Sequence, residues 1–221
     1  MKKLDFIEIG TSDFQTLTQS CSPNEMGIAI EPIKYYLDRL PNKPNVIKIN
    51  AAIVGDENLK EVDVYYVSDE NQAKHNLGNW LRGCNRVGEP HDLHLQYCHP
   101  SIFHSYPAHS IIPAEHSPRN LVKEGLVDII KAPCYTFRYL VETYGFDYVE
   151  FIKTDTEGMD SIIINNILDY YEISKMELPK KIVFESNAHT RKQDTDNLAD
   201  RLRKLGYNVN VTYTDDTTAI R

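Results

Sequence analysis

A doubly wound α/β fold, with a mostly parallel sheet and helices on both faces, is what this sequence predicts. Three observations predict it. Short apolar runs alternate with helical stretches along most of the chain, a pattern that implies parallel pairing through right-handed crossovers. The 221 residues suit a single domain with a sizeable core. The last two strand candidates follow one another directly and form an antiparallel C-terminal pair.

The elements follow in order. Residues 4–9, LDFIEI, read as a buried strand that opens on Gly10. Residues 13–20 are expected to start a helix, with Ser12 or Asp13 as N-cap. Residues 27–31 form a second strand. After Pro32, IKYYLDRL is a helical stretch closed by Pro41 and Pro44. Residues 45–54, NVIKINAAIV, read as one strand ending in a Gly55-Asp56 turn, and residues 61–67 as a fourth. Residues 127–133 are a strand and residues 136–144 a helix. Residues 148–153 are a strand leading into TDTEG. Residues 158–171 are a helix with Ile162, Ile163, Ile167 and Tyr170 on one stripe. Residues 181–186 are a strand, and residues 191–205 a charged helix closed by Gly206. Residues 207–213 and 216–220 make the terminal pair.

Residues 68–126 interrupt this rhythm. A structureless loop of that length is unusual inside a compact domain, so a lid-like insertion is expected within one domain spanning 1–221. Seven of the eight histidines fall between His75 and His116. His91, His94, Cys98 and His99 match no zinc-site spacing. Trp80, Arg82, Tyr97 and Tyr106 are candidates to stack on or bond a sugar, with plain packing as the alternative. A histidine-rich lid would make activity respond to pH.

Composition excludes several classes. Lys plus Arg is 24 and Asp plus Glu is 32, a net charge of −8 that argues against a dedicated nucleic-acid binder. No apolar run reaches the ~20 residues that span a bilayer. The N-terminus has no apolar h-region and is not a signal peptide. A first strand lying almost at the start would suit a module of a larger protein. Cys21, Cys84, Cys98 and Cys134 show no close pairing and read as reduced thiols, which points to the cytoplasm.

Open α/β sheets bind ligands beyond the carboxyl ends of their strands, so the strand ends carry the functional signal. After the first strand stand Glu8, Gly10, Thr11, Ser12 and Asp13. The glycine permits a tight turn and close backbone approach, and Glu8 suits a ligand with a cationic amino group. The run is not G-x-G-x-x-G, which disfavours a dinucleotide. Glu31 ends the second strand, at about the 20-residue interval from the glycine turn at which an acid bonds ribose hydroxyls. Pro32 beside it would cover one face of a base. After the 148–153 strand come Asp155, Glu157 and Gly158, and after the 181–186 strand come Glu185, Asn187 and His189. Asp155, Glu185 and Asn187 would supply oxygen ligands to Mg2+ or Mn2+. Helix capping is the plain alternative for these acids.

EIGTSDF, AIEP and FIKTDTEGMDSII together resemble the FkbM family of class I S-adenosylmethionine-dependent methyltransferases. The K-x-D-x-E-G-x-[DE] hallmark falls on Lys153, Asp155, Glu157, Gly158 and Asp160, and the likeness spans roughly residues 4–67 and 127–220. The chain departs from the many members that carry a second glycine in the first motif, where it has Phe14. The resemblance implies a Rossmann-like fold and O-methylation of a hydroxyl on a sugar, glycan or similar small acceptor, with S-adenosyl-L-methionine as donor. Glu8, Gly10, Thr11, Ser12 and Asp13 would border the donor's amino-acid end, with Glu31 at its ribose. Pro32, Asn50, Ala51 and Ala52 would flank the adenine. Asp155 would lie at the reacting centre, with Asp155 or His189 taking the proton. A NAD-dependent oxidoreductase on the same type of sheet, and a non-catalytic binding module, are the competing readings. The missing G-x-G-x-x-G weighs against the first, and the set of acids at the strand ends weighs against the second.

Overall fold

The computed structural model describes residues 2–12, 15–75, 127–186 and 190–221, with the backbone of 86–87. Asp13, Asn187, His189 and most of the 68–126 insertion, including Trp80, Arg82, Tyr97, Tyr106 and the His91–His99 run, lie outside the described residues.

The strands are β1 (Lys3–Ile9), β2 (Gly27–Ile30), β3 (Val46–Ile49), β4 (Ala52–Ile53), β5 (Glu61–Tyr66), β6 (Arg86–Val87), β7 (Asp128–Tyr135), β8 (Tyr148–Thr154), β9 (Lys181–Glu185), β10 (Asn208–Asn210) and β11 (Asp216–Ile220). The helices are α1 (Leu17–Ser20), α2 (Lys34–Arg39), α3 (Asp69–His75), α4 (Phe137–Tyr144), α5 (Asp160–Ser174) and α6 (Lys192–Lys204).

Seven strands form the main sheet in the order β10-β11-β9-β8-β1-β2-β3. Every pair from β9 to β3 is parallel, while β11 runs antiparallel to both its neighbours. Mixed α/β architecture with a mostly parallel central sheet is therefore observed. Strand order reverses on either side of β1, whose neighbours are β2 and β8. That reversal is the switch point where open sheets form a ligand crevice.

Apolar burial explains the layers. Ile7, Ile28, Ile152, Ile182 and Phe184 of the sheet share one core with Leu140 of α4, Ile164, Ile167 and Leu168 of α5, and Leu198 and Leu202 of α6. Elsewhere Ile33 and Tyr36, at the start of α2, pack with Val64 and Ala132.

Four expectations need correction. Residues 45–54 are two strands: β3 ends at Ile49 and β4 joins a second sheet ordered β4-β7-β5-β6. Residues 61–67 and 127–133 pair antiparallel with each other there, outside the parallel sheet. The first helix begins at Leu17, with Thr16 rather than Ser12 or Asp13 as N-cap. Thr16 and Gln19 close a reciprocal capping box, which satisfies two otherwise unpaired donors. The buried stripe of α5 runs through Ile163, Ile164, Ile167, Leu168 and Tyr171, leaving Ile162 50% exposed. The helix also starts two residues later than expected.

Candidate active site

The register of the main sheet assembles the site. Ile30, Ile9, Thr154, Phe184 and Thr217 lie in one row across five strands. One residue further along come Glu31, Gly10, Asp155, Glu185 and Asp216, all at the carboxyl edge of the parallel strands. Residues in a strand alternate faces, so this polar row shares a face with Glu8 and Lys153 two positions back.

Gly10 is required by its neighbours. Its φ is +78, and a Cβ there would lie 1.9 Å from the carbonyl oxygen of Asp155. The turns after β1 and β8 thus touch main chain to main chain. Gly10 N–H donates to Ile30 O, and Asp155 N–H donates to Ile9 O, each at 2.9 Å. What the glycine approaches in the structure is the turn carrying Asp155.

Glu31 is buried. Its carboxylate accepts the Ser12 N–H at 2.7 Å and the Ile33 N–H at 2.9 Å. Asn50 Nδ2 donates to the carbonyls of Glu31 and Pro32 at 2.9 and 2.8 Å. Glu31, Pro32, Asn50 and the glycine turn, predicted separately, therefore meet. Thr11 is buried with its hydroxyl bonded to Ser12 O. Ala51 is packed in the core and Ala52 opens β4.

Glu8 is fully buried and has protein partners. It accepts the Leu17 N–H at 2.8 Å and pairs with Lys153 Nζ at 3.3 Å. Burial pushes its carboxyl up, and Lys153 pulls it back.

The KTDTEG turn brings the carboxylates together. Glu157 (φ +53) and Gly158 (φ +96) sit in the left-handed region and fold the chain back on itself. Asp160, buried at the head of α5, accepts from both the N–H and the hydroxyl of Thr156, at 3.2 and 2.9 Å. Glu185 accepts the Gly158 N–H at 3.2 Å. As a result oxygens of Asp155, Glu157 and Glu185 lie within 4.8 Å of one another. Two of the three expected metal ligands converge, and Glu157 joins them. Burial and the neighbouring Asp160 charge push Asp155 up to about 7, against the pull of Lys153. A carboxyl titrating there is matched to proton transfer near neutral pH.

The expected ligand set left out Glu157, and the proximity of Asp216 was not anticipated. The motif itself was the sequence signal for Glu157, and the left-handed backbone at that residue is what the structure adds. Asp216 gave none, because it arrives through antiparallel pairing with Glu185.

A family model, Methyltransferase FkbM domain, matches residues 8–209. The chain belongs to this family. The FkbM match takes in both the glycine turn and the KTDTEG segment, which the fold brings into contact at the switch point. The chain matches no curated protein and no solved structure. Among the described residues no helix is long and apolar enough to cross a membrane.

Proposed function

We propose that the protein is an S-adenosyl-L-methionine-dependent O-methyltransferase of the class I type, acting on a hydroxyl of a sugar, glycan or similar small acceptor. One observation carries the reading. The family match covers the carboxyl edge of the sheet, where the glycine turn, held by Glu31 at Ser12, touches the turn carrying an Asp155 pushed up to about 7. The antiparallel C-terminal pair supports the class I type.

The residues fit the donor. Gly10, Thr11, Ser12 and Glu31 would hold its amino-acid and ribose portions, Pro32 and Asn50 its adenine, with Glu8 bracing the turn from behind. The donor supplies a methyl group already activated on sulfur. An aliphatic hydroxyl is a poor nucleophile at neutral pH, so the chain must remove its proton and align it with the methyl group. Asp155 takes that proton on its carboxylate, with His189 as the second candidate. Alternatively, Asp155, Glu157 and Glu185, whose oxygens lie within 4.8 Å of one another, would serve as hard-oxygen ligands of a divalent cation, in which case Asp155 would not also be the base. With Asn187 they would hold Mg2+ or Mn2+, which lowers the pKa of a bound hydroxyl.

The test is transfer of a labelled methyl group from the donor to sugar acceptors, with and without Mg2+ or Mn2+. Labelled ether product supports the reading, and its loss with chelator supports the metal. Donor binding without any labelled product would favour a binding module instead.

A further inference from the structure

Lys153 opens the KTDTEG segment, and its side chain is 16% exposed. It is the register partner of Glu8 on the adjacent strand. Its ammonium lies 3.3 Å from one oxygen of a carboxylate that is 0% exposed. The other oxygen accepts the N–H of Leu17, where α1 begins. Between Glu8 and Leu17 runs the glycine turn, with Ser12 (φ +47) and Gln15 (φ +53) both in the left-handed region. Such backbone persists only where the surroundings over-determine it. Glu31 grips the turn at Ser12, and Glu8 grips its far end at Leu17.

A fully buried carboxylate left without a partner charge is costly to keep ionised, and a cation beside it offsets that cost. We propose that Lys153 is a positioning residue: by pairing with Glu8 it fixes the Leu17 end of the glycine turn in the shape that receives the donor's amino-acid end. This rests on the donor reading above. Removing the ammonium alone strands a buried charge, whereas neutralising both partners does not. The proposal therefore predicts an order of effects that a merely space-filling lysine would not give.

The experiment titrates S-adenosylhomocysteine calorimetrically into wild type, Lys153→Met, Lys153→Arg, Glu8→Gln and the Glu8→Gln/Lys153→Met double variant, with thermal unfolding of each. Lys153→Met should weaken binding roughly tenfold or more, the scale of strongly coupled pairs. Lys153→Arg should recover most of that loss, and the double variant should bind better than Lys153→Met alone. Wild-type affinity in Lys153→Met, or the same loss in both Glu8 backgrounds, would overturn the proposal. If Lys153→Met does not fold, the comparison moves to Glu8→Gln with and without Lys153→Met. Near-equal affinity there supports the pairing, and a tenfold gap overturns it. If wild type binds no S-adenosylhomocysteine, the donor reading fails by itself. Thermal unfolding then decides the pairing: non-additive losses uphold it and additive losses refute it.

Discussion

Gly10 meets the carbonyl of Asp155 so closely that no side chain fits between them. Gly145 shares the left-handed backbone, but a Cβ there would meet nothing within 4 Å. Gly145→Ala should therefore cost about 1–2 kcal/mol, from backbone conformation alone. Gly10→Ala should cost clearly more and also lower donor affinity, because the turn must move. Thermal unfolding of the two variants side by side checks this. Asp155 gives a prediction in pH. Its carboxyl keeps the proton up to about 7, so the rate should rise through that region as the base form appears, and Asp155→Asn should abolish that limb. The folded chain holds this proton more tightly than the unfolded chain. The group therefore adds stability in acid, in full below its ordinary value of 3.8, and loses it as pH rises through about 7. The stability of Asp155→Asn relative to wild type should grow between about pH 5 and about pH 8. A gap that shrinks with rising pH would contradict the assignment.

At the scale of elements, α5 shows which face of a helix the core selects. Ile164 is 0% exposed and Ile162 is 50% exposed. Ile164→Ala should cost about 2–5 kcal/mol, as buried truncations do. Ile162→Ala should stay within about 0.5 kcal/mol, as surface changes do. Arg201 of α6 donates to Asn165 O and Oδ1 and pairs with Asp169 and Glu172, which clasps α6 to α5. The strand–helix alternation of these elements was legible because each apolar run is bounded by glycine, proline or charge. The break after Ile49 was not. NVIKINAAIV is apolar enough overall to read as one strand despite Lys48 and Asn50, and only the sheet that Ala52 and Ile53 join decides where it divides. The α5 stripe was misread for a related reason: Ile162, Ile163 and Ile164 are consecutive, so more than one apolar stripe is available and packing decides which is buried.

Over the whole molecule, the switch point between β2, β1 and β8 brings together what lies far apart in sequence. Glu8, Gly10, Glu31 and Asp155 were legible because ligand chemistry in such sheets gathers at strand ends. The partners of these residues were not. Lys153 on Glu8, Ser12 on Glu31 and Asp216 beside Glu185 depend on register across strands, which one sequence does not display. Glu8, Asp155, Asp160 and Asp216 are all pushed up by burial. Calorimetric titration with S-adenosylhomocysteine, with NAD as control and Glu31→Ala as reference, tests the central claim most directly. Micromolar binding of S-adenosylhomocysteine alone, weakened in Glu31→Ala, is the predicted result. Binding of NAD in its place, or a Glu31→Ala variant that binds S-adenosylhomocysteine as well as wild type, would contradict it.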